Sequence, residues 1–166
     1  MNRILEEDIK EIANSKLINW KSLKNKNLLI TGASGLIGSL ITRTFMYRND
    51  NFEQNTKLFL VVRNSQRARE IFGEPKYIKI IESDIENIDE VKITEKIDYI
   101  IHGASPTTSK FFVNNPVETI NTAVIGTKNI LEIANKNKVD SIVYMSSMEM
   151  YGTFYEDTKV NEENLG

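Results

Sequence analysis

The feature that most constrains the fold of this chain is a set of three glycines spaced three residues apart. The segment TGASGLIG (31–38) directly follows the apolar run NLLI (27–30), and LIGSLITRTFMYR (36–48) has its apolar residues at helical spacing. Glycines between a strand and a helix permit a tight turn and let a pyrophosphate rest on the N–H groups that open the helix. A glycine-rich turn without a ligand is the alternative, and the strand–glycine–helix order favours the binding loop. The residues predicted to line this loop are Gly32, Ser34, Gly35, Leu36, Ile37 and Gly38.

Apolar runs alternate with helical segments along most of the chain. Further strand candidates are residues 57–64, 76–84, 97–105 and 139–147. Further helix candidates are 65–72, with a serine cap, and 116–137, with proline in its first turn. Strands that are apolar almost throughout and alternate with helices indicate a parallel sheet covered on both faces. We therefore predict an α/β fold with a doubly wound, Rossmann-like parallel sheet.

The chain is predicted to consist of a short helical leader and one domain. Residues 4–13 (ILEEDIKEIA) have helical spacing and indicate a packing helix within an N-terminal helical leader, residues 1–25, in which Trp20 serves as an anchor. The dinucleotide-binding domain would occupy residues 26–166. Its last stretch, 154–166 (FYEDTKVNEENLG), is polar and aperiodic, so we expect the chain to stop in a loop and the sheet to be incomplete at the C-terminal end.

The composition is that of an ordinary soluble domain and excludes several classes of protein. Apolar residues make up 40% and charged residues 27% of the 166 residues, and the formal net charge is −2. This charge does not favour a nucleic-acid or membrane-surface partner. Cysteine is absent, which excludes disulfides and thiolate metal sites, and we predict no metal site. The charged start is unlike a signal peptide and no apolar run approaches a membrane span, so a cytoplasmic location is expected.

The pattern T-G-x-x-G-x-x-G resembles the short-chain dehydrogenase/reductase superfamily. Later segments narrow the resemblance to its extended branch, the NAD-dependent epimerase/dehydratase family that acts on nucleotide sugars. These segments are SDI (83–85), HGASP (102–106) and SSMEMYG (146–152), each at the end of a predicted strand. The resemblance covers roughly residues 24–166 and corresponds to the N-terminal part of such enzymes.

The resemblance implies roles for the residues at these strand ends. Asp84 and Ile85 would hold the adenine, although Asp84 could simply cap a turn. Ser147 would be the catalytic hydroxyl, with an ordinary strand-end serine as the alternative. His102, the single histidine, would be structural. The backbone that passes under the cofactor would be that of Gly103, Ala104 and Ser105.

The end of the second predicted strand leaves the choice between NAD and NADP open. NAD-preferring sites usually carry an acid there that binds the ribose 2′-hydroxyl. This chain has Arg63 at that position, and a guanidinium suits a 2′-phosphate or stacks on adenine. The residue chemistry leans slightly to NADP, whereas the resemblance favours NAD.

By resemblance, the reaction begins with oxidation of the sugar C4 hydroxyl. The resulting 4-keto sugar loses water, loses carbon dioxide or is reduced again on its other face. Dehydratases of this kind carry Asp then Glu after the catalytic hydroxyl residue, whereas this chain has Met148 and Glu149. Met148 cannot donate a proton, which argues against an ordinary dehydratase.

Two other fates of the keto sugar agree better with these residues. UDP-glucuronate decarboxylases share the H-x-A-S-P stretch and carry a small residue followed by Glu, so Met148 is unusual for them as well. Loss of carbon dioxide from a β-keto acid needs no leaving-group acid. Epimerases tolerate many residues at both positions. Glu149 is therefore the second catalytic candidate, with a solvated carboxylate as the alternative.

Three further expectations follow from the resemblance. The catalytic Tyr-x-x-x-Lys of the family would lie beyond residue 166, and we interpret the one such spacing in the chain, Tyr155 and Lys159, as a coincidence. Ala123 stands where the family usually has Asn. The helix at 116–136 would pair across a two-fold axis in a homodimer.

A small NAD(P)-binding sensor or interaction module without catalysis is the competing class of function.

Overall fold

The computed structural model describes residues 2–90, 93, 95–152 and 159–163. Within these residues, five strands form one parallel sheet in the order β3-β2-β1-β4-β5. The strands are β1 Asn27–Thr31, β2 Lys57–Val62, β3 Ile78–Glu82, β4 Tyr99–His102 and β5 Ser141–Tyr144. The parallel Rossmann-like sheet predicted from the sequence is confirmed.

Helices cover both faces of the sheet. They are α1 Arg3–Asn14, α2 Trp20–Leu23, α3 Leu36–Phe52, α4 Ser65–Phe72, α5 Ser109–Asn114, α6 Pro116–Asn121 and α7 Thr127–Asn137. Shorter turns are the 3₁₀ segments Ile85–Glu90 and Met148–Tyr151 and the π-helical turn Thr122–Gly126. None of the helices in the described ranges has the length and apolar character needed to cross a bilayer.

Two local expectations differ from the structure. The predicted helix at 116–137 is interrupted, because one π-helical turn separates α6 from α7. The cap of α4 is Asn64, whose side chain accepts the N–H of Arg67 at 2.8 Å, while Ser65 is the first residue of the helix. A side-chain oxygen at the position before the helix satisfies one of its free N–H groups, and asparagine does this as well as serine.

Side chains alternate across the sheet and divide the core into two clusters. Leu29 faces α7, where Ile130 is buried, while Leu28 and Ile30 face α3 and α4. Phe45 is the buried residue that α3 contributes to this second cluster. Because successive residues of a strand point to opposite faces, an uninterrupted apolar run such as NLLI requires helices on both sides.

The leader packs on the second cluster through an aromatic contact and one arginine. The ring of Trp20 lies edge-on to Phe45 with centroids 5.6 Å apart. The Arg48 guanidinium lies 4.6 Å from the Trp20 ring centroid and 4.2 Å from that of Phe52, and it donates to the Ala13 carbonyl at 3.1 Å. This agrees with Trp20 as an anchor, while the boundary at residue 25 stays a prediction.

The order of the strands places a crevice at the carboxyl edge of the sheet. The chain winds from β1 outward through β2 to β3 and then returns to the other side of β1 with β4. The loops after β1 and β4 therefore diverge to opposite faces above neighbouring strands. Ligands of open α/β sheets bind at such a reversal point.

Candidate functional site

The loop after β1 is a tight turn pressed against the end of β4. The Gly35 N–H donates to the Gly32 carbonyl at 3.0 Å, which closes the turn. Gly32 has φ +69°, and a Cβ added to it would lie 2.6 Å from the carbonyl oxygen of Gly103. A side chain at Gly32 would thus be strained and would also separate the two loops.

The other two glycines of the loop meet different surroundings. A Cβ on Gly38 would run into the Gly32 carbonyl, so Gly38 lets α3 pack close to β1. A Cβ on Gly35 would have the Gly32 carbonyl oxygen, 3.2 Å away, as its single close neighbour. Contacts within the chain therefore require glycine at Gly32 and Gly38, whereas a Cβ at Gly35 would meet one tight contact and otherwise free space.

That space borders the first turn of α3, whose backbone can bind an anion. The first N–H groups of a helix have no partner within it and carry the positive end of the helix dipole. In α3 these groups belong to Leu36, Ile37 and Gly38, and the side chains of Leu36 and Ile37 are 90% and 53% exposed. Ser34, half-buried in the loop, completes the predicted set. The structure thus brings these predicted residues together around one open backbone surface.

The hydroxyl of Thr31 joins the glycine loop to the loop after β4. Its Oγ1 accepts the N–H of Gly103 at 3.2 Å and that of Ala104 at 3.1 Å. The same oxygen lies 2.7 Å from Nδ1 of His102. One side chain at the end of β1 therefore fixes the backbone at 103–104, which was predicted to pass under a cofactor.

The Thr31 contacts also define which ring nitrogen of His102 carries the proton. Because the hydroxyl oxygen accepts two N–H groups, its hydrogen is directed to Nδ1, and Nε2 carries the ring proton and donates to Thr127 Oγ1 at 3.1 Å. The ring is 1% exposed and stacks on Tyr144. Burial lowers the pKa of His102 below its ordinary value. His102 is thus a neutral structural side chain, as expected.

The loop after β3 has one side chain at the edge and one in the core. Asp84 Oδ1 accepts the Glu86 N–H at 3.0 Å and so caps its own turn. Ile85 is only 5% exposed and packs against Gly126, where an added Cβ would lie 2.5 Å from Ile85 Cδ1. The Ile85 side chain belongs to the cluster that packs against α7, so the backbone of Ile85 is the part that can meet an adenine, and this contact stays a prediction.

The remaining candidates lie at the same edge of the sheet. Arg63 follows β2, is exposed, and makes no hydrogen bond or ion pair with the described part of the chain. The Ser105 hydroxyl donates to the Pro106 carbonyl at 3.1 Å. Ser147 is exposed and directly precedes the turn Met148–Tyr151.

Some of the predicted chemistry lies outside what the structure describes. The side chains of Met148 and Glu149 and the whole of Tyr155 are outside the described residues, so Glu149 stays a prediction. Among the described residues, no group of three histidine, aspartate or glutamate side chains is placed to hold a metal ion.

Several side chains that hold the site were missed in the sequence. No role is predicted for Thr31 from the sequence, although a polar residue directly before the first glycine of the loop is a usable signal. Asn129, in the stretch GTKN, donates to the carbonyls of Ile85 at 3.0 Å and Glu86 at 2.8 Å. The Thr122 hydroxyl donates to Glu86 Oε1 at 2.8 Å. These contacts join positions 36–44 residues apart and leave no local pattern in the sequence.

The glycine loop, the parallel sheet and the strand-end motifs agree with a comparison against known families. The NAD dependent epimerase/dehydratase family matches residues 28–165. The chain belongs to this family. The resemblance inferred from the glycine spacing is therefore confirmed, and with it the expectation of a nicotinamide dinucleotide as the family's cofactor.

Individual relatives share the match over only part of their length. UDP-glucuronic acid decarboxylase 6 of Arabidopsis thaliana is 31% identical over 134 residues, which are 77% of this chain and 35% of that protein. UDP-glucose 4-epimerase of Rickettsia bellii is 29% identical over 130 residues, which are 74% of this chain and 37% of that protein. The chain thus spans little more than a third of the length of these two relatives.

A solved structure supports the same fold. DesIV, a dTDP-glucose 4,6-dehydratase from Streptomyces venezuelae with NAD and TYD bound, superposes with a TM-score of 0.71. The match has 20% identity and covers 84% of this chain and 45% of that chain. At this identity the likeness is one of fold.

Replacing Gly35 by valine should weaken dinucleotide binding while leaving the protein folded. Gly35 has φ −78°, which any residue adopts, and its side-chain position faces the open surface at the start of α3. A branched side chain there fills the space of a pyrophosphate, so we expect NADH affinity to fall by about tenfold or more. Fluorescence titration with NADH measures this, with the melting temperature as the check on folding.

Gly38→Ala is the contrasting variant, because its Cβ meets the Gly32 carbonyl and should lower the melting temperature itself. Unchanged NADH affinity in a folded Gly35→Val protein would contradict the placement of the ligand at this loop.

The neutral His102 should make the free energy of unfolding depend on pH. Its pKa is lowered by burial, so its contribution is complete above the ordinary value of 6.5 and is lost as the pH falls from there towards the lower pKa of the folded state. Urea unfolding at several pH values between 7.5 and 5 should therefore show a decline in stability that is smaller in His102→Asn. Parallel curves for the two proteins would count against a neutral buried ring.

Proposed function

We propose that this chain is the NAD(P)-binding part of an enzyme that modifies nucleotide sugars through a 4-keto intermediate. The observation that carries the proposal is the difference among the three glycines. Gly32 and Gly38 are required by contacts within the chain, whereas a Cβ at Gly35 would meet one backbone oxygen at 3.2 Å and otherwise unfilled space beside the first N–H groups of α3. A diphosphate supplies both the bulk and the negative charge that this space accommodates.

Each group of residues at the carboxyl edge of the sheet then binds one part of the dinucleotide. The first-turn amides of α3 bind the pyrophosphate, and Thr31 holds the backbone of Gly103 and Ala104 as a platform beside it. Asp84 receives the adenine end together with the backbone of Ile85, which Asn129 fixes from α7. The residues present therefore fit a dinucleotide laid across the ends of the strands. Arg63 and Ser105 remain proposed contacts at the adenosine end and beside the platform.

The reaction class rests on the family and on the residues after β5. The bound dinucleotide supplies a hydride acceptor, and Ser147 at the same edge would hydrogen-bond to the sugar C4 hydroxyl. The names of the relatives, a UDP-glucuronic acid decarboxylase and a UDP-glucose 4-epimerase, support a nucleotide-sugar substrate. Met148 in place of an acid favours decarboxylation or epimerisation over 4,6-dehydration, with Glu149 acting on the keto sugar. A cytoplasmic enzyme agrees with this substrate class.

A dinucleotide-binding sensor or interaction module is the second candidate. Both candidates require the same cradle, so cofactor binding does not separate them, whereas turnover does.

The 166-residue chain should bind NADH and fail to turn over nucleotide sugars. Ser147 alone cannot take the C4 proton, because an unactivated hydroxyl is a poor base near neutral pH. The measurement is NAD(P)H formation and product analysis with UDP-glucuronate, UDP-glucose and dTDP-glucose. Turnover by this chain that disappears in Tyr155→Phe would contradict the prediction and would make Tyr155 and Lys159 the catalytic pair.

We also propose that the chain forms a homodimer through the helical segment that begins at Pro116. Its uncovered apolar side chains are Val117, Ile120, Val124 and Leu131, each more than half exposed. Such a patch is stabilised when a second copy covers it. Sedimentation should give a dimer for the wild-type protein and a monomer for Val124→Glu, with Lys128→Glu on the same segment as the charge control. A wild-type monomer would remove the proposal.

A further inference from the structure

The end of β2 lacks an acid, whereas an acid stands at the end of the neighbouring strand β3. NAD-preferring sites usually place a carboxylate at the end of the second strand, and here Arg63 stands there. We infer that Glu82, the last residue of β3, is the carboxylate that makes this site prefer NAD to NADP. The inference rests on the proposed dinucleotide site and concerns which of the two dinucleotides that site selects.

Strand pairing brings Glu82 to the place where the discrimination occurs. β2 and β3 are parallel, with Val62 opposite Glu82, and the Ser83 N–H extends the ladder to the Val62 carbonyl at 3.0 Å. Neighbouring strands are about 4.8 Å apart. Glu82 therefore lies one strand away from Val62 and next to Arg63, at the same carboxyl edge.

The carboxylate of Glu82 is held at the start of α4. Strand alternation puts Glu82 on the face of Ile80, which packs against the cluster that α3 and α4 cover. Its Oε2 accepts the N–H of Ser65, the first residue of α4, at 3.3 Å. Hydrogen bonds from Ser65 hold the pKa of the Glu82 carboxyl below its ordinary value. The group is exposed and charged at neutral pH.

This arrangement disfavours a 2′-phosphate and suits a 2′-hydroxyl. A phosphate monoester binds through N–H donors and cations, and the Ser65 N–H is already occupied by a negative group. The neighbouring Asn64 side chain is also engaged, because it caps α4 through the Arg67 N–H. A neutral ribose hydroxyl feels no such repulsion and can itself donate to a carboxylate.

The other carboxylates near this edge have hydrogen-bond partners within the chain. Asp84 closes its own turn, and Glu86 accepts the Thr122 hydroxyl beside α7. Arg69 of α4 forms its ion pair with Glu74 at 2.7 Å and acts on Glu82 only through its charge, which helps to lower the pKa of that carboxyl. The direct partner of the Glu82 carboxylate is thus Ser65 and not a cation of α4.

The test compares dinucleotide affinities of Glu82→Gln, of the wild-type protein and of Glu70→Gln. Fluorescence titration with NADH and with NADPH gives the affinity ratio for each protein, and the melting temperature confirms folding. Glu82→Gln should strengthen NADPH binding relative to NADH by about tenfold, because it removes the negative charge that occupies the Ser65 N–H at the start of α4. Glu70→Gln removes an exposed charge further along α4 and should leave the ratio as in the wild type.

The outcomes separate this inference from the proposed function. Wild-type binding of NADH together with an unchanged ratio in folded Glu82→Gln overturns the inference and leaves the dinucleotide site in place. An equal change in Glu70→Gln also overturns it, since the effect is then one of net charge. Wild-type protein that binds neither dinucleotide removes the proposed function and the inference with it.

Discussion

The site depends on the hydroxyl of Thr31, because this one group connects the two loops that form the crevice. Its oxygen accepts the N–H groups of Gly103 and Ala104 and its hydrogen is directed to His102, which continues the network to Thr127 in α7. The close approach of Gly32 to the Gly103 carbonyl completes the junction. A buried hydroxyl with three partners is fully satisfied, and such a network has one stable arrangement.

The side of the crevice at the end of β3 is organised by α7 in a comparable way. Asn129 is buried and donates to two successive carbonyls after β3, so the loop there has a fixed backbone. Gly126, at the end of the π-helical turn, gives room for Ile85 to enter the core. The side chain of Ile85 therefore stabilises the loop from below, and Asp84 is the residue that stays at the edge. Packing and polar contacts together decide which face of the loop is open.

Much of this could be predicted because the signals are local. An apolar run of four residues, glycines at fixed spacing and a helical period lie within about twenty residues of one another, and together they require a parallel strand, a turn and a covering helix. The strand-end positions of Asp84, Gly103 and Ser147 follow from the same rule. The π-helical turn was not predictable, since it depends on how Gly126 and Asn129 fit against the loop after β3.

The sequence by itself determined the glycine loop at Gly32 to Gly38 and the parallel sheet around it. The reason is that backbone conformation and the apolar period depend on residues that are neighbours in the chain. It also suggested a cationic edge from Arg63, and on that evidence NADP was slightly favoured. Only the tertiary structure decided that Gly35 is the least crowded of the three glycines, and that Glu82 pairs with Val62, the residue before Arg63. Both results depend on how strands and loops that are far apart in the chain pair with one another. The distances between their residues cannot be inferred from the spacing of neighbouring residues in the sequence.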